Sequence, residues 1–147
     1  MSFDFIKPTI IFAIVGFFIP GFTAIGLLGI QMLLSYIGIE CSFAWLLIWV
    51  ITTVVGLILP FLFYRYIKLL KAGEGHLLKT ILIVFNLLEY VCIQSSLTPL
   101  FTNGRTLCYG GGGENGLELC FTAWLSLPIL IAFSFVFNRL FKKVNMV

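Results

Sequence analysis

Glu89 is the one formally charged residue inside the long apolar stretches of this chain. It lies ten residues beyond Lys79, roughly 15 Å along a helix. That depth puts a carboxyl group near the middle of a bilayer, where a charge is costly. The group must face protein or water, find a partner, or stay protonated. At about 100° per residue, Asn86, Glu89, Ile93 and Ser96 fall on one side of a helix, with Tyr90 and Gln94 adjoining. A polar stripe on an apolar helix points into a bundle, and Gln31 is the best-placed polar group on another segment. Three chemistries fit: interhelical hydrogen bonding, a proton or cation relay, or contact with a transported substrate. A relay needs more than one station. The sequence offers no second intramembrane acid, no basic partner and no histidine chain. Interhelical bonding is the favoured reading.

Sulfur is the second candidate chemistry. Cys108 and Cys120 flank an unbroken run of glycines, Gly110 to Gly113. Closing that loop with a disulfide contributes about 3 kcal/mol in the chain-entropy model. Cys108–Cys120 is the expected pair, and the alternative joins Cys41 to one of them. Cys92 falls within an apolar stretch, where a thiol is a small apolar side chain. The glycine run is not a phosphate cradle, because no Lys-Ser/Thr pair follows it. His76 is the only histidine, and it falls in a polar turn. No Ser-His-Asp set, paired catalytic carboxylates, HExxH or metal-ligand spacing occurs. No enzyme activity, cofactor or metal is therefore expected.

These groups must be held by membrane-spanning helices. Lys7 and Glu40 bracket 32 residues without a formal charge. Further stretches run from Cys41 to Tyr64, from Thr80 to Gly104 (broken only by Glu89) and from Leu119 to Asn138. About 20 apolar residues of helix cross a hydrocarbon core about 30 Å thick. With 61% hydrophobic and 10% charged residues, the chain could not hide its apolar surface in water. The predicted fold is an all-α, integral-membrane bundle of four transmembrane helices in one domain. The predicted spans cover 9–39, 43–64, 80–101 and 119–138. Pro20-Gly21 divides the first, which is either one tilted helix kinked at Pro20 or a partial helix over 9–19 followed by a span over 22–39. The N-terminal stretch runs too long for a signal peptide and lacks a cleavage site, so it is read as retained.

Charge sets the predicted orientation. Lys7, then Arg65, Lys68, Lys71 and Lys79, then Arg139, Lys142 and Lys143 all fall on one side, and Arg105 alone on the other. Both termini are then cytoplasmic. The loops near Glu40 and from Thr102 to Glu118 face outward. Trp45, Trp49 and Trp124 gather on the outward side, as an interfacial belt would. Arg65, Lys68 and Lys71 form a strip suited to anionic lipid headgroups. Thr52 with Gly56, and Thr122 with Ser126, are small-xxx-small pairs that let helices approach closely.

This layout, with outward Cys41, Cys108 and Cys120, resembles that of the membrane quinone–thiol oxidoreductases that reoxidise disulfide donors. The resemblance implies disulfide exchange. That chemistry needs two cysteines close in sequence, whereas Cys41 is followed by Ser42, Phe43 and Ala44. Structural cysteines are the expectation. The predicted role is non-enzymatic: helix–helix association with another membrane protein or with further copies of the chain, in contact with lipid and not with nucleic acid. Accessory subunits and the membrane immunity proteins that neutralise pore-forming toxins share this topology. The alternative is a small oligomeric transporter or channel using Glu89. Phe, Ile and short loops lean towards a bacterial inner membrane.

Overall fold

The computed structural model describes residues 4–20, 22–69, 75–101 and 115–144. Its elements are α1 (Ile6–Phe18), α2 (Ala24–Tyr36), α3 (Cys41–Leu69), α4 (Gly75–Leu97) and α5 (Asn115–Val144). A 3-10 turn over Thr98–Leu100 continues α4, and no strand occurs among the described residues. Three helices are long and apolar enough to cross a membrane: Cys41–Leu69, His76–Leu100 and Cys120–Lys142. They match the predicted spans over 43–64, 80–101 and 119–138. α3 and α5, at 29 and 30 residues, run well past the predicted ends.

Of the two readings of the first predicted span, the structure has the broken one, with a first helix that starts at Ile6 and a second that is shorter than the expected 22–39. Residues 9–39 are not one kinked helix but two separate helices, α1 and α2, of 13 residues each. Each is about 20 Å long, shorter than a bilayer core. The reason lies at Pro20. Proline has no N–H to continue the ladder, and it disfavours helical geometry in the residue before it. Ile19 has indeed left the helical region, at φ −123 and ψ 62. The break persists because α5 satisfies the carbonyls it exposes. Trp124 Nε1 donates to the Phe17 carbonyl at 3.2 Å, and Cys120 Sγ approaches the Pro20 carbonyl at 4.0 Å. Irregular backbone at membrane depth is tolerated where protein covers it. Pro60 and Pro128 lie inside α3 and α5 without ending either helix.

A tight turn joins α2 to α3. Gly38 takes φ +100, a conformation costly for any residue with a β-carbon. Gly38 N–H then bonds the Ser35 carbonyl, and Ile39 N–H bonds the Leu34 carbonyl. That double pattern ends α2 and folds it back along α3.

α4 is the central helix and packs against α1, α3 and α5. At the end that carries the lysines and arginines, an aromatic cluster ties four helices together. Phe63 stacks on Phe85 at 4.4 Å and meets Phe137 edge-on at 4.9 Å, while Phe5 of the α1 entry meets Phe141 at 5.3 Å. The middle packs Ala13, Tyr90, Leu127 and Leu130. The opposite end packs Leu27, Trp45 and Ile48. Trp45 is therefore core and not part of an exposed belt, because α2 folds back over it. Two glycines allow close contact: a β-carbon on Gly16 would meet Leu127 at 3.0 Å, and one on Gly56 would meet Cys92 at 3.0 Å.

Candidate functional site: the polar interior around α4

The polar residues of α4 form two faces and not one stripe. Asn86, Tyr90 and Gln94 recur every four residues and turn towards α1 and the α1–α2 break. Glu89, Cys92 and Ser96 turn towards α3. Both sets are covered because α4 has neighbours on several sides, so burial does not follow a single polar edge.

On the first face, Asn86 Nδ2 donates to Thr9 Oγ1 at 3.1 Å. Thr9 Oγ1 in turn donates to the Phe5 carbonyl, one turn back along α1, at 2.9 Å. Higher up, Thr23 Oγ1 donates to Gln94 Oε1. Tyr90 lies between these bonds, fully buried. Its ring stacks on Phe22, with centroids 5.6 Å apart and planes 13° from parallel, and meets Phe12 edge-on at 5.7 Å. Three α4 side chains thus hold both the body of α1 and the break after it.

On the second face, Thr52 Oγ1 donates to Ser95 Oγ at 2.7 Å, and Thr53 pairs with Ser96 Oγ at 3.0 Å. Trp49 Nε1 donates to the Ser96 carbonyl at 3.3 Å. Glu89 lies one to two turns below these bonds, with 1% of its surface exposed. Its Oε1 lies beside Gly56, 4.0 Å from where a β-carbon would stand. Its Oε2 is buried and has no hydrogen-bond partner among the described residues. No lysine, arginine or histidine occurs on α3 between Cys41 and Tyr64 or on α5 between Cys120 and Asn138.

Gln31 is not brought to Glu89. It is buried against the start of α3, where its Nε2 reaches the Cys41 carbonyl at 3.4 Å and the Cys41 sulfur at 3.6 Å. The break at Pro20 causes this, because α2 is displaced along α3 instead of continuing α1. Sequence reasoning also missed Thr9, Thr23, Thr53 and Ser95, four of the partners that complete the polar contacts. Thr9 and Thr23 bracket the α1 and Pro20 segment, which is the one sequence signal that could have pointed to them.

The expected Cys108–Cys120 pair is corrected. Cys120 is a free thiol, half-buried against the break, and Cys92 is free and buried. Cys41 is disulfide-bonded. Cys108 lies outside the described residues, as do the glycine run and the loop carrying Lys71. No group of three or more potential metal ligands occurs among the described residues.

The arrangement can bind helices to each other with short hydroxyl and amide side chains. Its single acid is enclosed between α4 and a glycine of α3. No family model, curated protein or solved structure matches this chain, so its own geometry carries the functional reading.

Proposed function

We propose that this chain is a small, non-enzymatic multi-pass membrane protein that acts by associating with another membrane protein, as an accessory subunit or immunity-type protein does. In this reading α3, α4 and α5 are full spans. α1 and α2 together form the remaining, broken segment. The basic end faces the cytoplasm and holds both termini, and a bacterial inner membrane is the host. A disulfide between Cys41 and Cys108 ties the outward loop to the start of α3.

One observation carries the reading. Thr9, Thr52 and Thr53 bond Asn86, Ser95 and Ser96 of α4 in the interior, while α3 turns Val50, Ile51, Val54, Leu57, Ile58 and Phe61 outward. The chain thus keeps these polar contacts inside and presents an apolar face along α3, the least buried of its three long helices. In lipid, packing against such a face is driven by shape and not by exclusion of water. A photo-crosslinking residue at Ile51, Val54 or Ile58 in native membranes tests this. The reading expects one discrete protein adduct from these sites and none from the α4 face at Tyr90. Lipid adducts alone from all three α3 positions would reject it.

Glu89 Oε2, buried without a hydrogen-bond partner among the described residues, favours a second reading, a small oligomeric transporter that uses this carboxyl group. The two differ on Glu89→Gln, which keeps shape and hydrogen-bonding capacity but removes the titrating group.

A further inference from the structure

We propose that the groove between α1 and α5 is a binding site for one anionic phospholipid, with its phosphate held by Lys7 and Lys142 and an acyl chain lying in the groove. The inference rests on the membrane reading above but not on the proposed association with a protein partner.

The groove is lined by Ile10, Ile14 and Phe17 of α1 and by Trp124, Pro128 and Ile131 of α5. Its walls are apolar along their length. Gly16 brings the two helices together behind it, where its missing side chain admits Leu127. Phe17 and Trp124 close the far end, their rings 6.0 Å apart. An apolar channel that stops at an aromatic pair suits a hydrocarbon chain.

The near end is basic. Lys7 is one turn before Ile10 on the same side of α1 and is exposed. On α5, Lys142 follows Trp124 by 18 residues, five whole turns, and so lies on the same side of that helix. The 5.3 Å contact between Phe5 and Phe141 sets the start of α1 beside the end of α5, so the two lysines flank one opening. No acid occurs on α1 or on α5 from Cys120 onward. Asp4, the nearest acid in sequence, accepts from the Ile6 N–H at 3.0 Å at the start of α1.

Length also fits. From Lys7 to Phe18 is eleven residues, about 16 Å of helix, close to half a hydrocarbon core about 30 Å thick. A lipid anchored at Lys7 therefore has its chain beside Ile10 and Ile14 and its end near Phe17. Charge complementarity chooses the headgroup, since two lysines against the single nearby carboxylate of Asp4 leave a net positive opening that attracts a phosphodiester lacking a balancing amine.

The test uses the full chain extracted from membranes and native mass spectrometry with phosphatidylglycerol and phosphatidylcholine added at equal concentration. Wild type should retain one phosphatidylglycerol with roughly tenfold preference, the scale expected of two partly screened contacts. Lys7→Gln with Lys142→Gln should abolish the preference, and Ile14→Trp, which fills the groove, should abolish retention. Arg65→Gln with Lys79→Gln, which removes equal charge away from the groove, should leave both intact. Equal retention of the two lipids by wild type would overturn the proposal. So would an equal loss in the Arg65/Lys79 variant, which would mark a general attraction to the basic end. A chain found in the soluble fraction would instead overturn the membrane reading on which the site rests.

Discussion

Gly56 and Cys92 mark a close approach of α3 to α4: a β-carbon on Gly56 would stand 3.0 Å from that of Cys92. That distance is tighter than most packed β-carbons show, so α3 or α4 must give by a few tenths of an ångström if the glycine gains even a methyl group, and by more for a larger side chain. Gly56→Leu should destabilise the bundle by about 1–3 kcal/mol. Gly26→Leu is the control, because nothing lies within 4 Å of its β-carbon position. That substitution should be neutral or slightly stabilising, as leucine is the better helix former. Unfolding followed by steric trapping in bicelles measures both, and equal costs would show that α3 does not pack on α4 through Gly56.

The Asn86–Thr9 hydrogen bond joins α4 to α1 across 77 residues of sequence. Interhelical bonds of this kind contribute about 0.6 kcal/mol on average. A double-mutant cycle with Asn86→Leu and Thr9→Val should give a coupling of that size. A coupling near zero would place the two side chains apart.

Trp124 Nε1 caps the Phe17 carbonyl at the end of α1. Trp124→Phe keeps most of the ring but removes the donor, and should cost about 1–2 kcal/mol. Hydrogen exchange should rise at the end of α1 and around Thr23, and not in α3. Faster exchange throughout the chain would mean that the contact is not local to the break.

The thiols make a separate forecast. Without reductant, a maleimide should label half-buried Cys120 and leave buried Cys92 untouched until unfolding. Reductant should add two reactive thiols, Cys41 and Cys108, identified by peptide mapping. Labelling at Cys108 before reduction would remove the proposed tie between those two residues.

The long elements were legible in the sequence because lipid imposes one strong rule: a helix with its charges kept to the ends. α3, α4 and α5 follow from that rule alone. The region before Glu40 did not follow, because Pro20-Gly21 permits either a kink or a break. The outcome depends on whether distant side chains, here Trp124 and Cys120, satisfy the exposed carbonyls. Glu89 and its polar neighbours were visible as chemistry. Their division between two faces was not, since it depends on α4 having neighbours on several sides. Trp45 looked like a membrane anchor and is core, because the turn at Gly38 lays α2 across it. The phenylalanines looked like background, but Phe5, Phe63, Phe85 and Phe137 form the aromatic cluster at the basic end.

The central claim is that the buried polar groups, Glu89 included, serve packing and association and not transport. Proton flux into proteoliposomes under an imposed pH gradient tests it most directly, with wild type beside Glu89→Gln. The account predicts that neither exceeds protein-free liposomes and that both keep the same partner crosslink through α3. Flux in wild type that disappears in Glu89→Gln, with the fold retained, would contradict it.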